Sequence, residues 1–201
     1  MGDRRNINRR FKSISDLEFE AYDNYVSALT VITEPHRMIH DGMFFDASQI
    51  VASVANGANL DILLKFPAGA IGHLLLVEFT LQDAPCDIFF YEDTTVSADG
   101  AAVNVRNHNR VGTPNDSSNA EVFTGPTVTD VGTLLHERFI PDAGGQGNQA
   151  AGLLVAGEDA EWVLGHPTEA MNYMWRLTNN SGGAIKASFH FNGYEILDNP
   201  N

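Results

Sequence analysis

Hydrophobic and polar side chains alternate along the last third of the chain, which is the spacing of a β-strand with one buried face. Two such runs are separated by residues 179–183, whose sequence Asn-Asn-Ser-Gly-Gly supplies turn-forming residues that tolerate positive φ. The apolar positions of the two runs are Met171, Tyr173, Trp175, Leu177, Ile185, Ala187, Phe189 and Phe191. The pattern predicts a β-hairpin with one face toward the core and one toward water.

Strand-like runs recur at regular spacing from residue 43 onward, separated by turns rich in glycine, asparagine and aspartate. No long amphipathic helical pattern interrupts them, so a parallel sheet built from βαβ units is excluded. We therefore predict an all-β fold, an antiparallel β-sandwich of jelly-roll type, with exposed loops at 108–122 and 142–149. The predicted strands cover residues 43–54, 60–66, 73–81, 86–92, 101–108, 122–129, 133–140, 161–164, 171–179 and 184–196.

The apolar face of the last predicted strand changes position at Gly193. Before this glycine the apolar residues include Phe189 and Phe191, whereas after it they are Tyr194 and Ile196, a shift of one position. Since neighbouring residues of a strand point to opposite faces, an unbroken strand would turn the later pair toward water. The sequence therefore predicts a β-bulge at Gly193 that returns both side chains to the buried face.

By pattern, the chain consists of an N-terminal arm, residues 1–40, and a β-sandwich domain, residues 41–201. A length of 201 residues with 43% hydrophobic content is compatible with one such domain. A capping-box pattern at Ser15 begins a stretch of nearly helical apolar spacing, whereas β-prone residues before Pro35 favour an extended chain. The arm is accordingly expected to be extended or partly helical.

Charge is distributed unevenly between the arm and the domain. The first 12 residues hold five basic residues and one acidic residue, a net charge of +4, which leaves −18 on the remainder of a chain whose total is −14. An acidic domain repels nucleic acid, so specific nucleic-acid binding is not expected. A solvated N-terminus is one interpretation of the tail. The alternatives are contact with nucleic acid and, favoured over it, contact with an acidic protein surface, including that of a neighbouring copy. The residues predicted to make that contact are Arg4, Arg5, Arg9, Arg10 and Lys12.

The single cysteine, Cys86, cannot form a disulfide within the chain. It stands beside the apolar run 88–91, so we interpret it as a small buried hydrophobic residue and not as a nucleophile. No apolar stretch approaches the roughly 18 residues that span a bilayer, and the N-terminus lacks the apolar segment of a signal peptide. We expect a protein with no membrane partner that is made in a cytoplasm.

The sequence contains no recognisable catalytic motif, and we predict neither an enzyme nor a cofactor. A Gly-x-Ser-x-Gly elbow and a phosphate-binding glycine loop are both absent. His36 and His40 are four residues apart, but Pro35 and Asp41-Gly42 flank them, so a helix presenting both rings to a metal is not expected. The acidic residues around Glu158 lack the ligand spacing of an EF-hand Ca²⁺ loop, so no metal site is predicted.

Five segments of turns and strands carry a resemblance to known proteins. They are residues 66–69 (Phe-Pro-Ala-Gly), residues 87–100 (beginning Asp-Ile-Phe-Phe-Tyr), residues 105–110, residues 132–136 (Gly-Thr-Leu-Leu-His) and residues 177–185. Over about residues 43–197 the chain resembles a family of structural proteins of tailed-bacteriophage virions that decorate the head and are also called capsid cement. These segments are structural signatures and not chemical motifs.

The resemblance implies a β-sandwich that oligomerises, commonly as a trimer, on the capsid exterior of the virion after assembly in the host cytoplasm. Its partner would be the major capsid protein, whose adjacent subunits it would brace. Proteins of this family act by binding, so the resemblance implies no catalytic residues. The basic residues of the arm would then face acidic surface on a neighbouring subunit.

Two other classes of function stay open. The first is a virion adhesin or carbohydrate-binding tail or fibre protein, in which the long loops and Trp162 would contact sugar, whereas Trp175 lies on an apolar strand face and is expected in the core. The second is a sandwich-fold polysaccharide hydrolase, because an acidic sandwich offers many pairs of carboxylates.

Overall fold

The structure is a computed structural model, and it describes residues 34–81, 85–111, 118–141, 150–156 and 161–197. A boundary between two units falls between Val31 and Ile32, so every described residue belongs to the second unit. Most of the predicted arm lies outside the described residues, as do the loop at 142–149 and much of the loop at 108–122. The extended or helical character of residues 1–33 therefore stays a prediction.

The described part of the chain consists of one short helix and fourteen strands. The helix, α1, covers Glu34–His40. The first seven strands are β1 (Phe44–Val54), β2 (Asn59–Phe66), β3 (Ala70–Leu81), β4 (Cys86–Glu92), β5 (Thr95–Ala98), β6 (Ala101–Val103) and β7 (Val105–Asn107). The others are β8 (Glu121–Thr124), β9 (Thr127–Asp130), β10 (Thr133–Ile140), β11 (Ala150–Ala156), β12 (Trp162–Gly165), β13 (Met171–Asn179) and β14 (Ile185–Leu197).

The strands form two six-stranded sheets and one small two-stranded sheet of β5 and β9. The order in the first sheet is β11-β3-β14-β1-β7, with β12 also paired to β3, and the order in the second sheet is β10-β4-β13-β2-β8-β6. Every strand pairing among the described residues is antiparallel. The predictions of an all-β antiparallel fold and of no parallel architecture are therefore confirmed for this part of the chain.

The first and second sheets share one hydrophobic core. Phe79 and Phe189 of the first sheet belong to the same buried cluster as Phe90 and Trp175 of the second. Trp175 has no exposed surface and stacks on Phe90 with ring centroids 4.2 Å apart, as expected for a core residue. Burying an aromatic side chain of this kind stabilises the fold by about 2–3 kcal/mol, so these rings contribute strongly to holding the sheets together.

The predicted hairpin between residues 171 and 191 is wrong, although both of its strands exist. β13 pairs with β2 and β4 in the second sheet, whereas β14 pairs with β1 and β3 in the first. At the crossing between sheets, the buried Asn179 donates from Nδ2 to the carbonyl oxygens of Val54 and Gly183, each at 2.8 Å. Two strands with alternating apolar residues and a turn between them can form a hairpin within one sheet or a connection from one sheet to the other. The sequence pattern does not distinguish the two, because the same side chains are buried in both.

The other strand positions follow the sequence closely. Eight predicted runs coincide within about three residues with β1 to β4, β10 and β12 to β14. The run 101–108 is divided into β6 and β7, and the run 122–129 into β8 and β9. The sequence gives no sign of β11, because alanine and glycine supply four of its seven residues and both are depleted in strands. The short β5 is also absent from the prediction.

Helix α1 corrects the expectation that His36 and His40 do not lie together on a stable helix. Pro35 stands in the first turn of the helix, where a missing N–H has no consequence because that group lacks an intrahelical partner. The proline therefore fits the start of this helix instead of preventing it.

The end of α1 is a Schellman motif with Gly42 in the left-handed conformation at φ 72°. The N–H of Gly42 donates to the carbonyl of Ile39 at 3.1 Å, and the N–H of Met43 donates to the carbonyl of Met38 at 2.8 Å. Met38 is buried against Phe44, with Met43 packed beside it. Helix α1 is thus fixed to β1 of the first sheet.

A register irregularity occurs at Gly193 as predicted, but the extra residue lies on the partner strand. Asn192 pairs with Leu76 and Gly193 pairs with Leu74, so β3 has one residue more than β14 at this point. A Cβ atom on Gly193 would lie 2.0 Å from the carbonyl oxygen of His73. The glycine is therefore required by the close approach of the two backbones.

The predicted return of Tyr194 and Ile196 to the inner face is wrong. β14 keeps its alternation, so Glu195 takes the inner position and lines a cavity between the sheets. Tyr194 is instead buried on the outer face, in a cluster with Met38 of α1, and Ile196 is exposed. Packing by α1 is the physical reason that an aromatic residue is favourable on this outer face.

Candidate interaction surfaces

The predicted partner-binding residues Arg4, Arg5, Arg9, Arg10 and Lys12 all lie outside the described residues. Their role stays a prediction. The described residues offer other features that bear on function: buried reactive groups, two polar clusters, a small cavity and exposed apolar side chains.

Cys86 is completely buried at the start of β4, as the sequence predicts for a small hydrophobic residue. Burial raises the pKa of its thiol from 9.0 to about 11, and the neighbouring Asp87 contributes in the same direction. A buried thiol that stays protonated at neutral pH is a poor nucleophile. The interpretation of Cys86 as structural is thus supported by both its burial and its charge state.

Trp162, whose role the sequence leaves open, packs edge-on against the core residue Phe90 with ring centroids 5.1 Å apart. It pairs with Leu74 across β12 and β3, and its ring lies near His136. The side chain is half-buried and packs against the main core cluster. These contacts assign Trp162 to the margin of the core, and they lend no support to a sugar-stacking surface.

A polar cluster on the outer face of the first sheet connects Glu161, the residue before β12, to β3 and β14. The Nδ1–H of His73 donates to Oε1 of Glu161, and the hydroxyl of Tyr194 donates to the same oxygen at 3.2 Å. The rings of His73 and Tyr194 are stacked with centroids 4.5 Å apart. A carboxylate that orients an imidazole occurs in catalytic and metal sites, yet within the described ranges no three His, Cys, Asp or Glu residues are grouped to hold a metal ion.

On the inner face, the buried carboxylate of Glu195 holds the start of the segment that leads into β8. It accepts hydrogen bonds from the hydroxyl of Ser118 and from the backbone N–H groups of Asn119 and Ala120, at 2.8 and 2.9 Å for the two backbone donors. The adjacent cavity has a volume of about 70 Å³ and a mostly apolar lining. Ligand pockets usually measure about 300–1,000 Å³, so this space is too small to be a ligand site.

Arg176 and Asp61 form a bidentate ion pair between β13 and β2 of the second sheet. Nε and Nη2 of the guanidinium donate to the two carboxylate oxygens, each at 2.7 Å. These hydrogen bonds raise the pKa of Arg176 above its ordinary value. Because both groups already have well-placed partners, the pair orders this face and offers no separate charge to a ligand.

The edge of the second sheet carries two exposed apolar side chains on β10. Phe139 is 59% exposed and Leu134 is 45% exposed, and β10 is the terminal strand of the described part of this sheet. Proteins usually cover or blunt such an edge, or use it to bind a partner. The sequence contains a signal for this surface in the adjacent pair Phe139 and Ile140, since one of two neighbouring strand residues must face away from the core.

Within the described ranges, no helix has the length and hydropathy needed to cross a bilayer. Comparison of the chain with protein-family models, with curated proteins and with solved structures gave no match. Function is therefore inferred from the residues of this chain.

Proposed function

We propose that this protein is a structural component of a bacteriophage virion, a head decoration or cement protein that binds the major capsid protein on the outside of the shell and stabilises it. The observation that carries the proposal is the exposed apolar edge of β10, where Phe139 is 59% exposed beside a closed core. Reactive groups such as Cys86 and Glu195 are buried or already hydrogen-bonded, which favours a binding role over a catalytic one.

We further propose that the sandwich is a jelly roll. The strand order supports this assignment. β1 pairs with β14, β2 pairs with β13, β3 pairs with β11 and β12, and β4 pairs with β10. Pairing in reverse order is the result of wrapping one long antiparallel ribbon into two sheets, so that successive strands alternate between them.

The proposed assembly is a homo-oligomer, a trimer in the family that the motifs resemble. An exposed edge strand with apolar side chains is suited to contact another protein chain by burying apolar area and pairing backbone groups. Each oligomer would bind several capsid subunits at once. Expanding or shearing the shell would then break those contacts, so their binding free energy becomes part of the stability of the shell.

Co-sedimentation with capsid shells that lack this protein tests the proposal. We expect the full chain to bind the shells saturably and to raise the temperature at which they break in scanning calorimetry. Phe139→Asp is expected to weaken binding at least about tenfold, since it places a charge in an apolar contact, whereas Ile50→Asp, at an exposed position on β1, is the matched control.

Two results would contradict the proposed function. The first is no binding of the folded chain to shells at any concentration. The second is full binding with no change in the heat resistance of the shells, which would remove the stabilising role. Selective binding to a glycan array together with no binding to shells would favour the adhesin instead.

A further inference from the structure

We propose that His36 and His40 form a chelating site for a divalent first-row transition metal ion of the kind that imidazole binds well, namely Zn²⁺, Ni²⁺ or Cu²⁺. The pair lies on α1, outside the β10 edge. Nothing in this inference depends on the proposed capsid function.

The separation of the two Nε2 atoms is close to that of two imidazole nitrogens that share one ion. The residues are one helical turn apart on α1, both are exposed, and their Nε2 atoms lie 2.9 Å from each other. With metal–nitrogen bonds of about 2.0–2.1 Å, two nitrogens are about 2.9 Å apart at a 90° angle and about 3.4 Å apart at a tetrahedral angle. The distance between the two Nε2 atoms therefore hardly needs to change for square-planar or octahedral binding. For tetrahedral binding it must increase by about 0.5 Å.

The backbone that carries the two rings is held in place before any ion binds. The Schellman motif ends the helix, Met38 is buried beneath it, and Nδ2 of Asn109 donates to the carbonyl oxygen of His40 at 3.0 Å. An ion pair between Arg37 and Asp41, at 2.8 Å, spans the same turn. Because the two ligands are already positioned, binding an ion requires little further ordering of the chain.

The chemistry of the rings is consistent with chelation. A hydrogen bond between the two Nε2 atoms requires a proton on one of them and a lone pair on the other. Metal binding requires lone pairs on both, so the single proton of each neutral ring then occupies Nδ1. The remaining coordination positions of the ion are open to water or to a side chain of another protein.

Titration of the full-length chain with CuSO₄ and, separately, with ZnCl₂ tests the site by calorimetry. We expect one ion per chain, with Cu²⁺ bound more tightly than Zn²⁺. His36→Ala and His40→Ala are each expected to weaken binding by about tenfold to 100-fold, since loss of either ring removes the chelate effect. His190→Ala is the matched control, because it removes a different partly exposed histidine on β14 and is expected to leave the affinity unchanged.

Long-range ¹H–¹⁵N spectra of the histidine rings provide a readout that unfolding of α1 does not produce. On addition of Zn²⁺ to the wild-type chain, the Nε2 signals of two rings are expected to shift, and His36→Gln and His40→Gln assign them. Equal affinity of the wild type and both alanine variants, or no binding at about 1 mM Zn²⁺ and Cu²⁺, would overturn the proposal. If the chain binds the metal ion but does not bind shells, the proposed capsid function is contradicted and the proposed metal site is not.

Discussion

At the residue scale, the clearest constraint is the backbone contact at Gly193. A Cβ atom there would lie 2.0 Å from a carbonyl oxygen, and a rigid backbone atom of a central strand has little room to move away. We expect Gly193→Ala to lower the free energy of unfolding by about 2–4 kcal/mol, measured by urea denaturation. Gly183→Ala is the control, because a Cβ at that position would meet nothing within 4 Å. Equal stability of the two variants would show that the contact imposes no constraint.

Burial of Cys86 gives a second prediction at this scale, one that concerns pH. Its pKa is raised from 9.0 to about 11 in the folded state, so between these values the unfolded chain binds fewer protons than the folded one. The contribution of this thiol to stability therefore falls as pH rises through this window and is lost above it. We expect the free energy of unfolding of the wild type to fall more steeply between about pH 9 and pH 11 than that of Cys86→Ala. Parallel pH profiles of the two proteins would contradict this account.

At the element scale, a single carboxylate connects β14 to the segment that enters β8. Glu195→Gln keeps the shape of the side chain but removes the charge that strengthens four hydrogen bonds, one from Ser118, two from Asn119 and one from Ala120. We expect a loss of about 1.5–3 kcal/mol in the free energy of unfolding and faster hydrogen exchange at the amides of residues 119 and 120. Glu121→Gln, at an exposed position, is the control. Unchanged exchange at both amides would show that Glu195 does not anchor the segment.

The elements also show how far the sequence determines the fold. Alternation locates most strands because each presents one face to the core, and that requirement is local. It does not assign strands to sheets, so β13 and β14 are interpreted wrongly as a hairpin when they pair with β2 and β1. The outward Tyr194 is likewise unpredictable from its own strand, because it is covered by Met38 from a distant helix. Contacts between residues far apart in sequence carry this information.

The candidate surfaces likewise contain some features that neighbouring residues predict and others that depend on contacts between residues far apart in sequence. Burial of Cys86 follows from its apolar neighbours, and the exposed Phe139 follows from its adjacency to Ile140. The pairing of His73 with Glu161 joins residues 88 positions apart and has no local signal. The chelating pair of His36 and His40 has the right spacing in the sequence, but it depends on a helix that Pro35 begins and Gly42 ends. The helix is not predicted when Pro35 is taken to prevent a helix, although proline is favourable in the first turn.

At the scale of the whole molecule, charge is separated between the N-terminal tail and the rest of the chain. The chain carries −14 in total, while its first 12 residues carry +4, so copies of the domain repel one another and the tail is attracted to acidic surface. Within the proposed function, an acidic domain that assembles on a shell would gain from a basic segment that offsets the repulsion. This attraction has a range of about 10 Å at 0.1 M salt, so salt distinguishes it from apolar contacts.

The final prediction tests this role for the tail within the proposed function. Replacing Arg4, Arg5, Arg9, Arg10 and Lys12 by glutamine is expected to weaken binding to shells at least about tenfold at 0.05 M salt, and much less at about 0.5 M, where screening already removes the attraction. The matched variant with the four arginines replaced by lysine keeps the charge, so binding close to the wild-type level is expected from it. Co-sedimentation across the salt series measures both variants. Wild-type affinity of the glutamine variant at low salt would remove the tail from the mechanism, and the apolar edge at Phe139 would then have to account for binding without it.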